Sequence, residues 1–99
     1  MARVEFSREI VDDFERFFDH MARFAVEDTS AKIGGIVEAV QLLTHSPLIG
    51  RPVKGGKREL VIERESGGYI ALCRFVDSID TVFVLAIRSQ RESSYKRDH

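Results

Sequence analysis

The sequence predicts an α+β fold. A short N-terminal strand leads into an antiparallel helical hairpin, which packs on one face of a mainly antiparallel sheet completed by a three-strand meander. Three observations carry this expectation. The chain opens on a brief polar–apolar alternation, apolar residues then recur twice at helical spacing, and three strand-like runs divided by short polar turns fill the second half. At 99 residues with 43% hydrophobic content, the chain can bury one core and no more, so residues 1–99 form a single domain.

Arg3-Val4-Glu5-Phe6 alternates and ends at Ser7, the pattern of a half-buried strand followed by a helix N-cap. From Arg8 to Ala25 the apolar positions Ile10, Val11, Phe14, Phe17, Phe18, Met21, Phe24 and Ala25 fall on one stripe roughly 140° wide at helical periodicity. Asp12, Asp13, Glu15, Arg16, Asp19 and Arg23 are expected on the opposite, solvent-facing side. Glu27-Asp28-Thr29-Ser30 supplies turn and capping residues. A second helix follows, with Ile33, Ile36, Val37, Val40 and Leu43 as its stripe, ending near His45 before Ser46-Pro47. So short a connection makes the two helices an antiparallel hairpin. Gly34 and Gly35 each cost the second helix about 1 kcal/mol relative to alanine, a cost that close approach of the first helix would justify. Leu42 points away from the stripe.

The prolines and glycine of Pro47-Leu48-Ile49-Gly50-Arg51-Pro52 predict a linking loop that continues through Gly55-Gly56. Strands are expected at Arg58 to Glu63, Tyr69 to Val76 and Thr81 to Arg88. The last two are apolar at nearly every position, so the face of the sheet away from the helices needs a second cover: the tail, a partner chain, or a partly exposed concave surface. The polar tail from Ser89 to His99 is expected to extend past the last strand edge.

Composition excludes several classes. Cys73 is the one cysteine, which rules out an internal disulfide framework and a cysteine-based zinc site and fits a reducing cytoplasm. The longest apolar run, Val82 to Ile87, is six residues, well short of the roughly 20 that span a bilayer. No membrane, cofactor or metal role is expected. His20, His45 and His99 lack ligand spacing, and the phosphate-loop pattern fails because Arg51 and Arg58 stand where Gly and Ser or Thr are required. Cys73 sits in an apolar strand, where a small buried hydrophobe is the expected role. Glu63 and Glu65 could share a strand face as an acid–base pair or mark a solvated strand end.

Charge is uneven along the chain. Residues 1–50 carry five Lys+Arg against nine Asp+Glu, and residues 51–99 carry ten against seven, so a half near −4 adjoins one near +3. Arg51, Lys54, Lys57 and Arg58 fall in an acid-free stretch, which attracts anions, phosphate above all, or is a solvated basic loop. With Arg64, Arg74, Arg88 and Arg91 they form a cationic set around the sheet, and the Tyr95 phenol lies close in sequence. Arg74 and Arg88 each interrupt an apolar strand and so need an anion, water or a carboxylate such as Asp77, Asp80 or Glu59. If Val76 pairs with Val82, Arg74 stands opposite Val84 and Arg88 opposite Ile70, on one face; a one-residue slip separates them.

Across nearly its whole length the chain resembles the RelE/ParE superfamily of bacterial type II toxin–antitoxin toxins. The resemblance rests on the short strand before the helical hairpin, the loop Ser46-Pro47-Leu48-Ile49-Gly50-Arg51-Pro52, Arg58-Glu59-Leu60, Gly68-Tyr69, and the ending Val84-Leu85-Ala86-Ile87-Arg88-Ser89-Gln90-Arg91-Glu92. It implies a growth-inhibiting toxin that forms a hetero-oligomer with a cognate ParD/RelB-like antitoxin, whose C-terminal segment covers exposed apolar surface and supplies carboxylates. Val11, Phe18, Leu42 and Arg74 are the expected antitoxin contacts.

The superfamily holds two activities. RelE-like members cleave ribosome-bound messenger RNA without a metal, and in that reading the catalytic residues here would be Arg88, Arg91, Tyr95, Lys54 and Lys57. That branch typically has an arginine directly after the tyrosine opening the middle strand, where this chain has Ile70. Tyr69-Ile70-Ala71-Leu72-Cys73-Arg74 and the ending from Arg88 to Glu92 resemble the ParE branch, whose members trap DNA gyrase on cleaved DNA, serve in plasmid stabilisation and have no catalytic centre of their own. The resemblance therefore favours a gyrase-directed binder, with Arg58, Arg74, Arg88 and Arg91 as target contacts, over a nuclease.

Overall fold

A computed structural model describes residues 1–23, 29–62, 68–92, 94 and 95. Its elements are β1 (Arg3–Phe6), α1 (Ile10–Arg23), α2 (Thr29–Val40), a 3-10 turn at Gln41–Thr44, β2 (Arg51–Val53), β3 (Lys57–Ile62), β4 (Tyr69–Val76), a second 3-10 turn at Asp77–Ile79, and β5 (Thr81–Ser89). One sheet runs in the order β1-β5-β4-β3-β2. β1 pairs with β5 in parallel, and every other neighbour is antiparallel. The expected α+β architecture is present, with the N-terminal strand, the helices on one face and the three-strand meander.

One strand lies where a loop is expected. β2 pairs with β3 through Arg51–Glu59, Pro52–Arg58 and Val53–Lys57. Proline is tolerated there because β2 is the sheet's edge, where a missing N–H leaves no neighbouring strand unpaired. The turn into β3 runs through Gly55 at φ 84° and Gly56 at φ 71°, left-handed conformations that glycine adopts without steric cost.

The helices lie over one face because their stripes meet alternate strand residues. Phe17, Ile36, Val40 and Leu43 from the helical side pack with Ile62, Tyr69, Ala71, Cys73, Val82, Val84 and Ile87 in the buried cluster. The Phe17 and Tyr69 rings stand 5.0 Å apart. Cys73 is buried, and burial pushes its thiol pKa up to about 12, so it is inert packing volume at neutral pH.

Two details of the helices differ from expectation. Asp13 is fully buried rather than solvent-facing: Oδ2 accepts the Ile87 N–H at 3.0 Å, and Oδ1 accepts Arg16 Nη1 at 2.8 Å. Arg16 Nη2 in turn donates to the Ile87 carbonyl at 3.3 Å. β1 runs alongside β5 only as far as Phe6–Val84. Beyond that point the two side chains of α1 satisfy both backbone groups of Ile87 as a neighbouring strand would, which is why a carboxylate and a guanidinium face inward. Gly34 and Gly35 are not sites of close helix approach, since among the described residues nothing lies within 4 Å of a Cβ built on either.

Register decides where the arginines point. At one end of the β4–β5 pair Val76 stands opposite Thr81 and Arg74 opposite Phe83, one residue away from the expected pairing. At the other end Ile70 stands opposite Arg88, as expected. A β-bulge between these regions inserts Leu85 into β5, between the Cys73–Val84 and Leu72–Ala86 pairs. An extra residue restores the two-residue parity that the shifted register would break, so Arg74 and Arg88 emerge on the same face.

Candidate functional site

The face of the sheet away from the helices carries the chemistry. Tyr69, Ala71 and Cys73 point into the helix-covered core, so alternation turns Ile70, Leu72 and Arg74 to the opposite side. Cross-strand pairing sets Arg51, Glu59, Leu72 and Ala86 in one row there, and Val61, Ile70 and Arg88 in the next.

Glu59 organises the middle of this face. Its Oε1 accepts Arg51 Nη2 at 2.5 Å and its Oε2 accepts the Tyr95 hydroxyl at 2.7 Å. Burial alone would raise the Glu59 pKa, but the hydrogen bonds from Arg51 and Tyr95 and the charges of Arg51 and Arg88 outweigh it and hold the carboxyl below its ordinary value of 4.5. Tyr95 is shifted the other way, held protonated well above its ordinary pKa first by burial and then by its bond to Glu59.

As far as Tyr95 the tail therefore does not extend past the strand edge as expected; residues 96–99 lie outside the described residues. Gln90 N–H donates to the Gly68 carbonyl at 2.9 Å, and the chain then turns back until Tyr95 reaches Glu59. Arg88 lies 5.3 Å from the centroid of the Tyr95 ring, a cation–π contact. Bracketed by Glu59 on β3 and Arg88 on β5, the ring crosses above β4, which explains the burial of Ile70 and Leu72 on the helix-free side. Of the three covers considered for this face, part is the tail. Glu92 fixes the turn: its Oε1 accepts the Ser89 N–H at 3.1 Å and Arg16 Nη2 at 3.2 Å, while its carbonyl accepts Arg88 Nη1 at 2.6 Å.

The cations reach different environments. Arg74 is exposed and its Nη2 donates to the Gly55 carbonyl at 3.0 Å. Arg58 lies towards the helix-covered side opposite Cys73, and its Nη1 bridges the carbonyls of Leu48 at 3.1 Å and Gly50 at 2.8 Å, bracing that loop. Lys54 is exposed in the turn and Lys57 is half-buried at the start of β3. Arg91 is exposed at the tail's start, its backbone N–H donating to Ser89 Oγ at 3.2 Å. Among the described residues no carboxylate forms an ion pair with Lys54, Lys57, Arg58, Arg74 or Arg88. No ion pair joins Asp77, Asp80 or Glu59 to Arg74 or Arg88; their guanidinium groups donate to backbone carbonyls, and the Arg88 charge acts on Glu59 without a direct bond. Arg64, Glu63 and Glu65 lie outside the described residues.

Val11, Phe18 and Leu42 are exposed, at 57%, 44% and 58%. The residues missing from the expected site are Glu59 as an organiser and Glu92 as the anchor of the tail. Alternation placed Glu59 on a strand, but its partners lie 8 and 36 positions away, and no local spacing signals such bonds. Among the described residues no cluster of three His, Cys, Asp or Glu could hold a metal, and no helix is long and apolar enough to cross a membrane.

Residues 4–94 match the family model for the ParE toxin of the type II toxin–antitoxin system parDE. The chain belongs to the ParE toxin family. Among solved structures, this ParE-family chain is similar to a chain of the chromosomal ParDE TA system from P. aeruginosa, with a TM-score of 0.72 and 25% identity over 90% of this chain and 96% of the other. It also shares its fold with a chain of the intact E. coli RelBE toxin–antitoxin complex, at a TM-score of 0.65 and 14% identity over 93% of this chain and 100% of that one. No curated protein matches at a significant level.

Proposed function

We propose that this ParE-family toxin arrests growth by binding DNA gyrase in the cytoplasm through the helix-free face of its sheet, with Arg74, Arg88 and Arg91 as contacts and Arg58 bracing the adjoining loop. The observation that carries the reading is the state of that face. It displays Arg74 and Arg88, which form no ion pair among the described residues, yet its phenol is tied to Glu59 and held protonated. A phenol in that state is a poor proton acceptor at neutral pH. Ile70, buried beside Arg88, occupies the position at which an RNA-cleaving relative would be expected to add a cation. Both features support action by binding rather than by a catalytic centre.

Neutralisation falls to a cognate ParD/RelB-like antitoxin in a hetero-oligomer. The similar structures come from a ParDE system and a RelBE complex, and exposed Val11, Phe18 and Leu42 give a partner apolar surface to bury, with Arg74 available for its carboxylates. Purified toxin is expected to inhibit gyrase supercoiling and to leave ribosome-bound message intact. Codon-position cleavage with gyrase unaffected would instead favour the nuclease reading built on Arg88, Arg91, Tyr95, Lys54 and Lys57.

A further inference from the structure

Among the described residues, the two carboxylates on the helix-free face of the strands are both engaged: Glu59 by Arg51 at 2.5 Å, and Glu5, opposite Phe83, by Arg3 at 2.7 Å. Lys57 and Arg74 form no ion pair among the described residues. At the β2–β3 turn, Lys57 Nζ lies 3.7 Å from the position of a Cβ built on Gly55, while Arg74 Nη2 lies 3.0 Å from the Gly55 carbonyl. One glycine thus brings an ammonium and a guanidinium into the same neighbourhood, with Lys54 exposed at the start of the turn.

Like charges so placed repel, and a shared anion between them removes the repulsion. We propose that Lys57 and Arg74, assembled over the Gly55 turn, bind the phosphodiester backbone of duplex DNA. The reading rests on the gyrase proposal, since gyrase is an enzyme that works on duplex DNA. Arg74 and Arg88 are four residues apart in β4 register, about 13 Å along the strand. Two cationic stations at that spacing suit an extended polyanion better than a single free phosphate. The turn is well suited to backbone contact: left-handed Gly55 and Gly56 carry no side chains to obstruct a phosphate.

The test uses full-length purified toxin, without gyrase, and fluorescent 20-base-pair duplex DNA, with an RNA hairpin and inorganic phosphate as parallel probes. Wild type should bind the duplex with an affinity that falls steeply with salt. Lys57→Gln/Arg74→Gln should weaken duplex binding at least tenfold and lower the slope of log affinity against log salt by about two, as expected for two lost phosphate contacts. Lys54→Gln should act in the same direction more weakly, and thermal unfolding of each variant separates loss of the site from loss of the fold. An unchanged duplex affinity and slope in the double variant would sink the proposal, as would preference for RNA, equal competition by inorganic phosphate, or loss of antitoxin binding alone. A separate supercoiling assay keeps the outcomes apart: gyrase inhibition without DNA binding leaves the gyrase reading standing and removes this one.

Discussion

The Tyr95 hydroxyl donates to Glu59 Oε2 at 2.7 Å across 36 positions of sequence, and this bond, with the Arg88 contact to the ring, holds the tail over the sheet's helix-free face. Tyr95→Phe removes it and leaves a buried carboxylate with one donor fewer. Urea denaturation should show a loss of about 1–2 kcal/mol, and the tail should become more accessible to limited proteolysis; wild-type behaviour on both measures would show that the bond does not secure the tail.

Glu59 also gives the fold an acid-sensitive component. Its carboxyl is held below the ordinary 4.5, so on acidification the unfolded chain takes up that proton before the folded one does. The stability it supplies is present above pH 4.5 and is lost as pH falls through the lower folded value. Comparing denaturation midpoints of wild type and Glu59→Gln should show a gap at pH 7 that narrows on acidification. A gap constant down to pH 3 would contradict the assignment.

Asp13 and Arg16 stand in for a missing strand beside Ile87. Asp13→Ala leaves the Ile87 N–H and part of Arg16 without their acceptor in a buried setting, and is expected to cost about 3 kcal/mol. Amide exchange provides the specific readout: Ile87 should lose protection by more than the global change in stability explains.

The glycines separate into opposite classes. A Cβ at Gly50 would lie 2.9 Å from the Glu59 carbonyl oxygen and 3.1 Å from Arg58 Cβ, so Gly50→Ala must push β2 away from β3, at a cost of about 1–3 kcal/mol. Gly34 is exposed with no described atom within 4 Å of its built Cβ, so Gly34→Ala should stabilise by about 1 kcal/mol through helix propensity. Thermal unfolding of the pair should move in opposite directions.

Val11 and Phe18 lie exposed on α1 and contribute little to the core. Val11→Ser/Phe18→Ser should change folding stability by less than about 1 kcal/mol. By calorimetric titration it should nonetheless weaken the cognate antitoxin at least tenfold, which is about 1.4 kcal/mol. Unaltered antitoxin affinity would move the contact elsewhere.

Periodicity alone was enough to locate both helices and the three strands of the meander, because burial on one face writes a period of 3.6 or 2.0 into the choice of residues. The same patterning marked Leu42 as outward-facing and Cys73 as inward, but it placed Val11 and Phe18 on the apolar stripe, at whose edge the structure leaves them exposed. β2 escaped because the rule that prolines break strands does not hold at a sheet edge, and only the topology shows that Arg51–Val53 is at that edge. Asp13 escaped because its polarity signals solvent, whereas its partner is the backbone of Ile87, 74 positions away.

Residue order determined which groups this chain could bury and that it would hold a surplus of cations in its second half. Tertiary structure decided their direction and company: a bulge at Leu85 turns Arg74 and Arg88 to one side, and Tyr95 folds back onto Glu59. Both depend on strand register and on contacts between distant segments, whose free energies arise only after the sheet has assembled.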